Sequence, residues 1–188
     1  MNKKELRNEM IQKLSAFKKE DKLKKEQDLY KNLQEYMATK KFKSVGLVLS
    51  MSHEIDTWPV IDSFIDSNVR VYGPKCNYKD KSMNFYEIHN RAEITKDEKG
   101  ILVPDESNIL DNKVDLLLVP GLIFNEKGYR TGYGGGFYDR FLAHYTGQTV
   151  SLLFDEQFGD VIVKEHDLPV DVLITPTRII NAEEERKK

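Results

Sequence analysis

Residues 45–51, VGLVLSM, and residues 115–120, DLLLVP, decide the fold class. Both runs are short, apolar and rich in branched side chains. They lack the polar alternation of a half-exposed strand, so each reads as a strand covered on both faces. Strands of that kind belong to parallel sheets, whose crossover helices cover the two faces. Further strands are expected at 69–72, 83–88, 150–154 and 172–175, with helices at 59–67 and 137–145 between them. Strands alternating with helices predict an α/β protein.

Upstream of this block, Leu6, Met10, Leu14 and Phe17 recur at helical steps and predict a first helix over 2–17. Asp21 suits the cap of a second helix, in which Leu23, Tyr30, Leu33 and Met37 continue the period up to the basic cluster at 40–43. No repeat, low-complexity tract or linker parts the chain into two units. The expectation is one domain over 1–188: a three-layer α/β/α fold with a mostly parallel sheet, two N-terminal helices and a frayed polar tail at 181–188. A chain of 188 residues buries roughly 70% of its unfolded surface, enough for a core without staples.

Composition narrows the class of partner. The single cysteine, Cys76, rules out an internal disulfide framework, and no Cys/His cluster suggests structural zinc. No stretch approaches the roughly eighteen apolar residues of a membrane span, and the N-terminus lacks the features of a secretory signal. Its lysines suggest a transit peptide, but Glu5, Glu9, Glu20 and Asp21 interleave with them, and such peptides are poor in acids. With 29 Lys plus Arg against 31 Asp plus Glu, no overall field gathers nucleic acid. These features predict a cytoplasmic protein with a small-molecule partner, engaging neither nucleic acid nor membrane.

The densest chemical signal is GYRTGYGGGFYD, residues 128–139. Gly132, Gly134, Gly135 and Gly136 stand between a strand and a helix that carries Phe137, Phe141 and Tyr145 on one face. Glycines permit positive φ and let backbone N–H groups approach a ligand, and a helix start adds unpaired N–H groups. This describes an anion cradle, although a Gly run also serves as an ordinary turn. It fits neither the dinucleotide fingerprint, since Phe137 stands where a glycine is needed, nor a Walker A loop, since no Gly-Lys-Ser/Thr follows. Asp139 suits the helix dipole on its own, but beside a triphosphate it calls for a cation between them, suggesting nucleotide plus Mg²⁺. Arg130 at the loop's entrance is placed to neutralise a transferring phosphoryl group.

Other segments carry weaker signals. Lys3 and Arg7 project along one stripe of the first helix and could grip a polyanion, or simply form a solvated face. Glu54 and Asp56 in SMSHEIDTW follow a buried strand, where α/β sheets bind ligands, and Glu54 could accept paired hydrogen bonds from an amino-pyrimidinone. The same segment reads as a capping loop before Pro59. His53 has no evident partner and reads as an exposed loop residue. Asp171, opening VDVLITP, is either a second acid for the metal or a turn carboxylate. Cys76 lacks a base and reads as incidental.

GYRTGYGGGFYDR resembles the signature of the 5-formyltetrahydrofolate cyclo-ligase family, also called methenyltetrahydrofolate synthetase. KKELR near the N-terminus, LSMSHEIDT and VDVLITP agree with that family in order. The resemblance implies ATP as co-substrate, Mg²⁺, and conversion of 5-formyltetrahydrofolate to 5,10-methenyltetrahydrofolate with release of ADP and phosphate. It implies nucleotide contacts at Lys3, Arg7, Arg130, Thr131, Gly132, Tyr133, Gly134, Gly135, Gly136, Phe137 and Tyr138. Folate contacts fall on Leu49, Glu54 and Tyr133–Phe137, metal ligands on Asp139 and Asp171, and catalytic roles on Arg130 and Tyr133. Thr131 stands where many relatives have an aliphatic residue, and Gly135 where some have lysine. A monomer or weak dimer is expected. Two other readings stay open: a folate- or nucleotide-binding protein without turnover, and an ATP-dependent ligase or kinase acting on another metabolite.

Overall fold

The two apolar runs lie side by side at the centre of a seven-stranded sheet. The computed structural model describes residues 1–188. Two helices, α1 (Lys3–Ser15) and α2 (Lys19–Ala38), lead into β1 (Ser44–Gly46), α3 (Trp58–Asp66), β2 (Arg70–Asn77) and β3 (Ser82–Ile88). A small ribbon, β4 (Thr95–Lys96) and β5 (Leu102–Val103), precedes β6 (Leu116–Leu118). A second ribbon, β7 (Ile123–Phe124) and β8 (Arg130–Thr131), leads to α4 (Phe137–Leu142) and β9 (Gln148–Leu152). The chain ends with β10 (Val172–Ile174), β11 (Ile179–Asn181) and α5 (Ala182–Arg186).

The main sheet runs β11-β10-β9-β6-β1-β2-β3. From β10 to β2 every pairing is parallel, and the two edge strands β3 and β11 are antiparallel. Side chains alternate across it as the pleat requires. Leu116, Leu118, Val172, Ile174 and Val71 join one core with Leu33 of α2 and Val60, Ile61 and Phe64 of α3. Leu117, Leu173 and Tyr72 point the other way, into a core with Leu142 of α4 and Ala182 of α5. Two helices on each face make three layers, as the continuous apolar runs require. Gly46 faces the second core, where a Cβ would stand 3.1 Å from Leu117 and the Phe85 ring.

A third cluster explains the position of α1. Met10 and Leu14 pack with Ile55, Leu122 and Phe154, on loops beyond the carboxyl ends of strands, and with Ile123 of β7. The helical stripe read from the sequence is therefore buried against strand ends, which lays α1 across that rim.

Several boundaries differ from expectation. The first strand is shorter than its apolar run because Ser50 and Thr57 hydrogen-bond each other and fold the chain into a loop, while Leu47 and Leu49 stay in the core. Asp21 lies in the first turn of α2, where it suits the dipole, and Lys18 occupies the cap position. The helix expected over 137–145 ends at Leu142, and the Tyr145 hydroxyl donates to Val114 O at 2.7 Å. Residues 182–186, read as frayed tail, form α5: Asn181 caps it by accepting from Glu184 N at 3.1 Å, and Ala182 is buried. Strands of two or three residues, such as β4, β5, β7, β8 and β11, are too short to show a period.

Candidate active site

Strand order reverses between β1 and β6: the chain passes from β1 through α3 to β2 on one side, and β6 and β9 follow on the other. Loops that leave such neighbours diverge and open a crevice at the carboxyl ends. Here the crevice is lined among others by Leu47, Val48, Glu54, Pro120, Tyr133 and Gln157.

The loop after β1 is strongly braced. Thr57 Oγ1 donates to Val48 O at 2.8 Å, and Thr57 N donates to Ser50 Oγ at 3.0 Å. From α2, Glu26 is only 6% exposed and accepts from Asp56 N at 2.6 Å, while Tyr30 donates to Asp56 O. Burial raises the Glu26 pKa, opposed by that N–H and by Lys22. Within the loop, Met51 N donates to Glu54 Oε1 at 2.8 Å, which fixes the carboxylate at the cleft wall.

The opposite side of the cleft carries Tyr133, from the glycine loop that follows β8. Gly134 and Gly136 adopt φ of +101° and +71°, conformations that few other residues reach without strain. The consecutive backbone N–H groups from Tyr133 to Asp139 have no acceptor within the protein. Backbone donors rarely stay unpaired, so this run is open to water or to an anion. Since α4 has only six residues, the loop's own N–H groups supply this capacity rather than a long helix dipole. From α1, Arg7 Nε donates to Gly132 O at 2.8 Å, with its guanidinium about Gly134. Arg140 Nη1 donates to Gly135 O at 2.9 Å. Tyr133 reaches back across the cleft to His53 Nε2 at 2.6 Å. Burial, and then the Glu54 carboxylate, push its phenol far above the ordinary tyrosine pKa, so the hydroxyl stays neutral.

A cleft at the switch point, with a glycine loop rich in unpaired N–H groups beside it and a carboxylate in its wall, could take an anion and a polar substrate, and comparison with known proteins identifies the family. A profile of the 5-formyltetrahydrofolate cyclo-ligase family matches residues 1–176. The chain belongs to that family. The 5-formyltetrahydrofolate cyclo-ligase of Escherichia coli K12 is 33% identical over 144 residues, 72% of this chain and 79% of that one. The mouse 5-formyltetrahydrofolate cyclo-ligase is 27% identical over 187 residues, 92% of each chain. The solution structure of Aquifex aeolicus 5,10-methenyltetrahydrofolate synthetase superposes with a TM-score of 0.84 at 29% identity, covering 97% of this chain and 94% of that one. The three-layer α/β fold is thus that of a cyclo-ligase.

Not every residue that the cyclo-ligase resemblance singled out reaches the cleft. Arg7, Gly132, Tyr133, Gly134, Gly135, Gly136, Phe137 and Glu54 gather there or on the loop. Lys3 lies on α1 one turn before Arg7, half-buried and with no hydrogen bond or ion pair. Leu49 and Thr131 are buried, so their side chains are closed to a ligand. The Tyr138 hydroxyl is buried without a partner. The Arg130 side chain, 5% exposed, turns inward: Nε donates to Pro120 O at 3.2 Å, Nη1 to Leu168 O at 2.9 Å, and Nη2 lies 3.5 Å from Asp139 Oδ1. Burial lowers its pKa, with Asp139 opposing. Asp139 also accepts from Leu168 N at 3.3 Å.

Asp171 stands at the amino end of β10, away from the strand ends that form the cleft. It pairs with Arg186 at 2.9 Å and accepts from Thr149 Oγ1 at 3.3 Å. The two expected metal ligands are therefore held in separate ion pairs, and no group of three His, Cys, Asp or Glu side chains could hold a metal. Sequence reading missed Glu26, His53 and Gln157. Gln157 accepts from Phe154 N at 2.8 Å and donates to Gly121 O and Leu122 O, joining the loops after β6 and β9. Nothing in its sequence neighbourhood marks it.

Proposed function

We propose that this chain converts 5-formyltetrahydrofolate to 5,10-methenyltetrahydrofolate at the expense of ATP, releasing ADP and phosphate. The observation that carries the reading is the run of unpaired N–H groups from Tyr133 to Asp139 beside a cleft whose other wall bears Glu54. A formamide oxygen is a weak nucleophile and its carbon a weak electrophile. Transfer of the γ-phosphoryl group to that oxygen gives an iminium phosphate. N10 then attacks the carbon, loses its proton, and phosphate leaves as the ring closes. The protein needs no covalent nucleophile: it aligns the formyl oxygen with phosphorus and stabilises phosphoryl charge. The glycine loop and Arg7 take the nucleotide phosphates, and Glu54 takes the pterin. The neutral Tyr133 hydroxyl lies where the two meet and can donate a hydrogen bond there. Arg130 acts by holding the loop's base rather than by touching the phosphoryl group.

Mg²⁺ enters this proposal only as the ion that accompanies a nucleoside triphosphate. Asp139 and Asp171 do not fit a common ion, so no step is assigned to a metal. A single cyclo-ligase domain over 1–188, a monomer or weak dimer, and a cytoplasmic location complete the proposal. A reducing setting suits the one free thiol, Cys76, and no helix is long and apolar enough to cross a membrane.

The direct test mixes purified protein with 5-formyltetrahydrofolate, ATP and Mg²⁺ and follows the absorbance of the methenyl product. Product that forms only with ATP is expected, and its absence would overturn the reading. The pterin assignment has its own test. In Glu54→Gln the charge-assisted hydrogen bonds are lost, worth about 1.5–3 kcal/mol, so the KM for 5-formyltetrahydrofolate should rise roughly tenfold to a hundredfold. The KM for ATP should move much less. An unchanged folate KM would remove Glu54 from the folate site while leaving the nucleotide loop in place.

A further inference from the structure

Tyr133 is a bulky side chain set among Gly132, Gly134, Gly135 and Gly136. Its sequence neighbours offer no side chain to pack against, and the glycines leave the backbone many conformations. The residue is 47% exposed overall, yet it lines the cleft. Something beyond the loop must hold it there. Across the cleft, His53 Nε2 lies 2.6 Å from the hydroxyl, and the two rings pack with centroids 5.7 Å apart at 52°. His53 can serve as an anchor because its own loop is fixed by Thr57, Glu26 and Tyr30.

We propose that His53 is a positioning residue that latches Tyr133 onto the loop after β1 and thereby sets the affinity for the folate substrate. The proposal rests on the cyclo-ligase reading above for the identity of that substrate. With the latch in place the glycine loop is tied at two points, by Arg7 at Gly132 and by His53 at Tyr133, and the cleft is preorganised. Without it, only the nearby Glu54 carboxylate is left to hold Tyr133 in the cleft, and each binding event must order the ring again. Ordering costs of this kind appear in KM when the chemical step is unchanged.

The experiment compares His53→Ala, His53→Gln, Tyr133→Phe and the double variant His53→Ala/Tyr133→Phe. In His53→Ala the KM for 5-formyltetrahydrofolate should rise about fivefold to tenfold, the worth of an ordering hydrogen bond, with kcat changed by less than about twofold. His53→Gln, which can still bond the hydroxyl, should recover most of the loss. The double variant should be no worse than the poorer single variant, since one interaction is being removed twice. Independently of turnover, the backbone of residues 132–137 should gain fast motion in His53→Ala, read as lower NMR order parameters. An unchanged folate KM, additive losses in the double variant, or unchanged order parameters would each overturn the latch. If the wild-type protein forms no methenyl product, the cyclo-ligase reading fails, and the order parameters alone then decide for or against the latch.

Discussion

Arg130→Met is expected to cost about 3–5 kcal/mol of stability, the range for breaking a buried ion pair by removing one partner. The arginine ties together three segments distant in sequence: the end of β6 through Pro120, the chain before β10 through Leu168, and the first turn of α4 through Asp139. Methionine fills much of the volume but donates to none of them. Two part-buried carbonyls lose a donor, and Asp139, its side chain 27% exposed, keeps a charge with no cation beside it. For a chain of this length the thermal midpoint should fall by roughly 6–20 °C. Lysine should rescue little, because an ammonium on a flexible stem cannot reproduce a planar fork aimed at three acceptors. Thermal and urea unfolding of both variants checks this. A midpoint within about 2 °C of wild type would mean that the inward guanidinium contributes little and is available for another task.

The contrast between the expected and observed Arg130 shows what a sequence carries and what it does not. Its position before a glycine loop marked it as a phosphate ligand. Its acceptors lie 10 and 38 residues away, and nothing local announces them. His53 is the converse case: its neighbours suggest a solvated loop, while its partner is 80 residues distant. Asp171 opens a strand-then-turn segment much like the one that holds Glu54. Only the topology shows that a residue before a strand lies at the opposite end of the sheet from a residue after one.

The sheet itself was legible because Leu116, Leu117 and Leu118 are all apolar, and an uninterrupted run is compatible only with burial on both faces. The glycine loop was legible for a related reason: glycines so dense between strand and helix have few uses. α5 could have been read from Asn181 and Glu184, a cap-and-acid spacing, but polarity suggested a tail. Its anchor is Arg186, which donates to Lys127 O and Val170 O and pairs with Asp171, contacts across more than a dozen residues that no local pattern encodes.

The largest kinetic effect is expected from Gly134→Val, which should lower kcat/KM for ATP by about a hundredfold or more, the scale seen when aligned donors are lost from a charged transition state. A Cβ at position 134 meets only the Arg7 guanidinium, at 3.5 Å, which is ordinary contact. The obstacle is therefore the backbone: at φ +101° a β-branched residue is strained, and the loop must rearrange to relieve it. Rearrangement turns the N–H groups from Tyr133 to Asp139 away from a shared direction and disturbs the Arg7–Gly132 bond. The loop is exposed and outside the three cores, so the thermal midpoint should move by less than about 3 °C. Gly134→Ala, with a smaller conformational penalty, should fall between wild type and valine. Gly100 supplies the control. It too has positive φ, at +77°, with open space around it, but it lies in the β4–β5 turn far from the glycine loop in sequence. Gly100→Val should show comparable backbone strain with kcat/KM for ATP within about twofold of wild type. If the two valine variants lose activity alike, the loss reports general strain, and the phosphate role of the loop falls. If only Gly134→Val loses it, what has been removed is the alignment of the loop's N–H groups on the nucleotide.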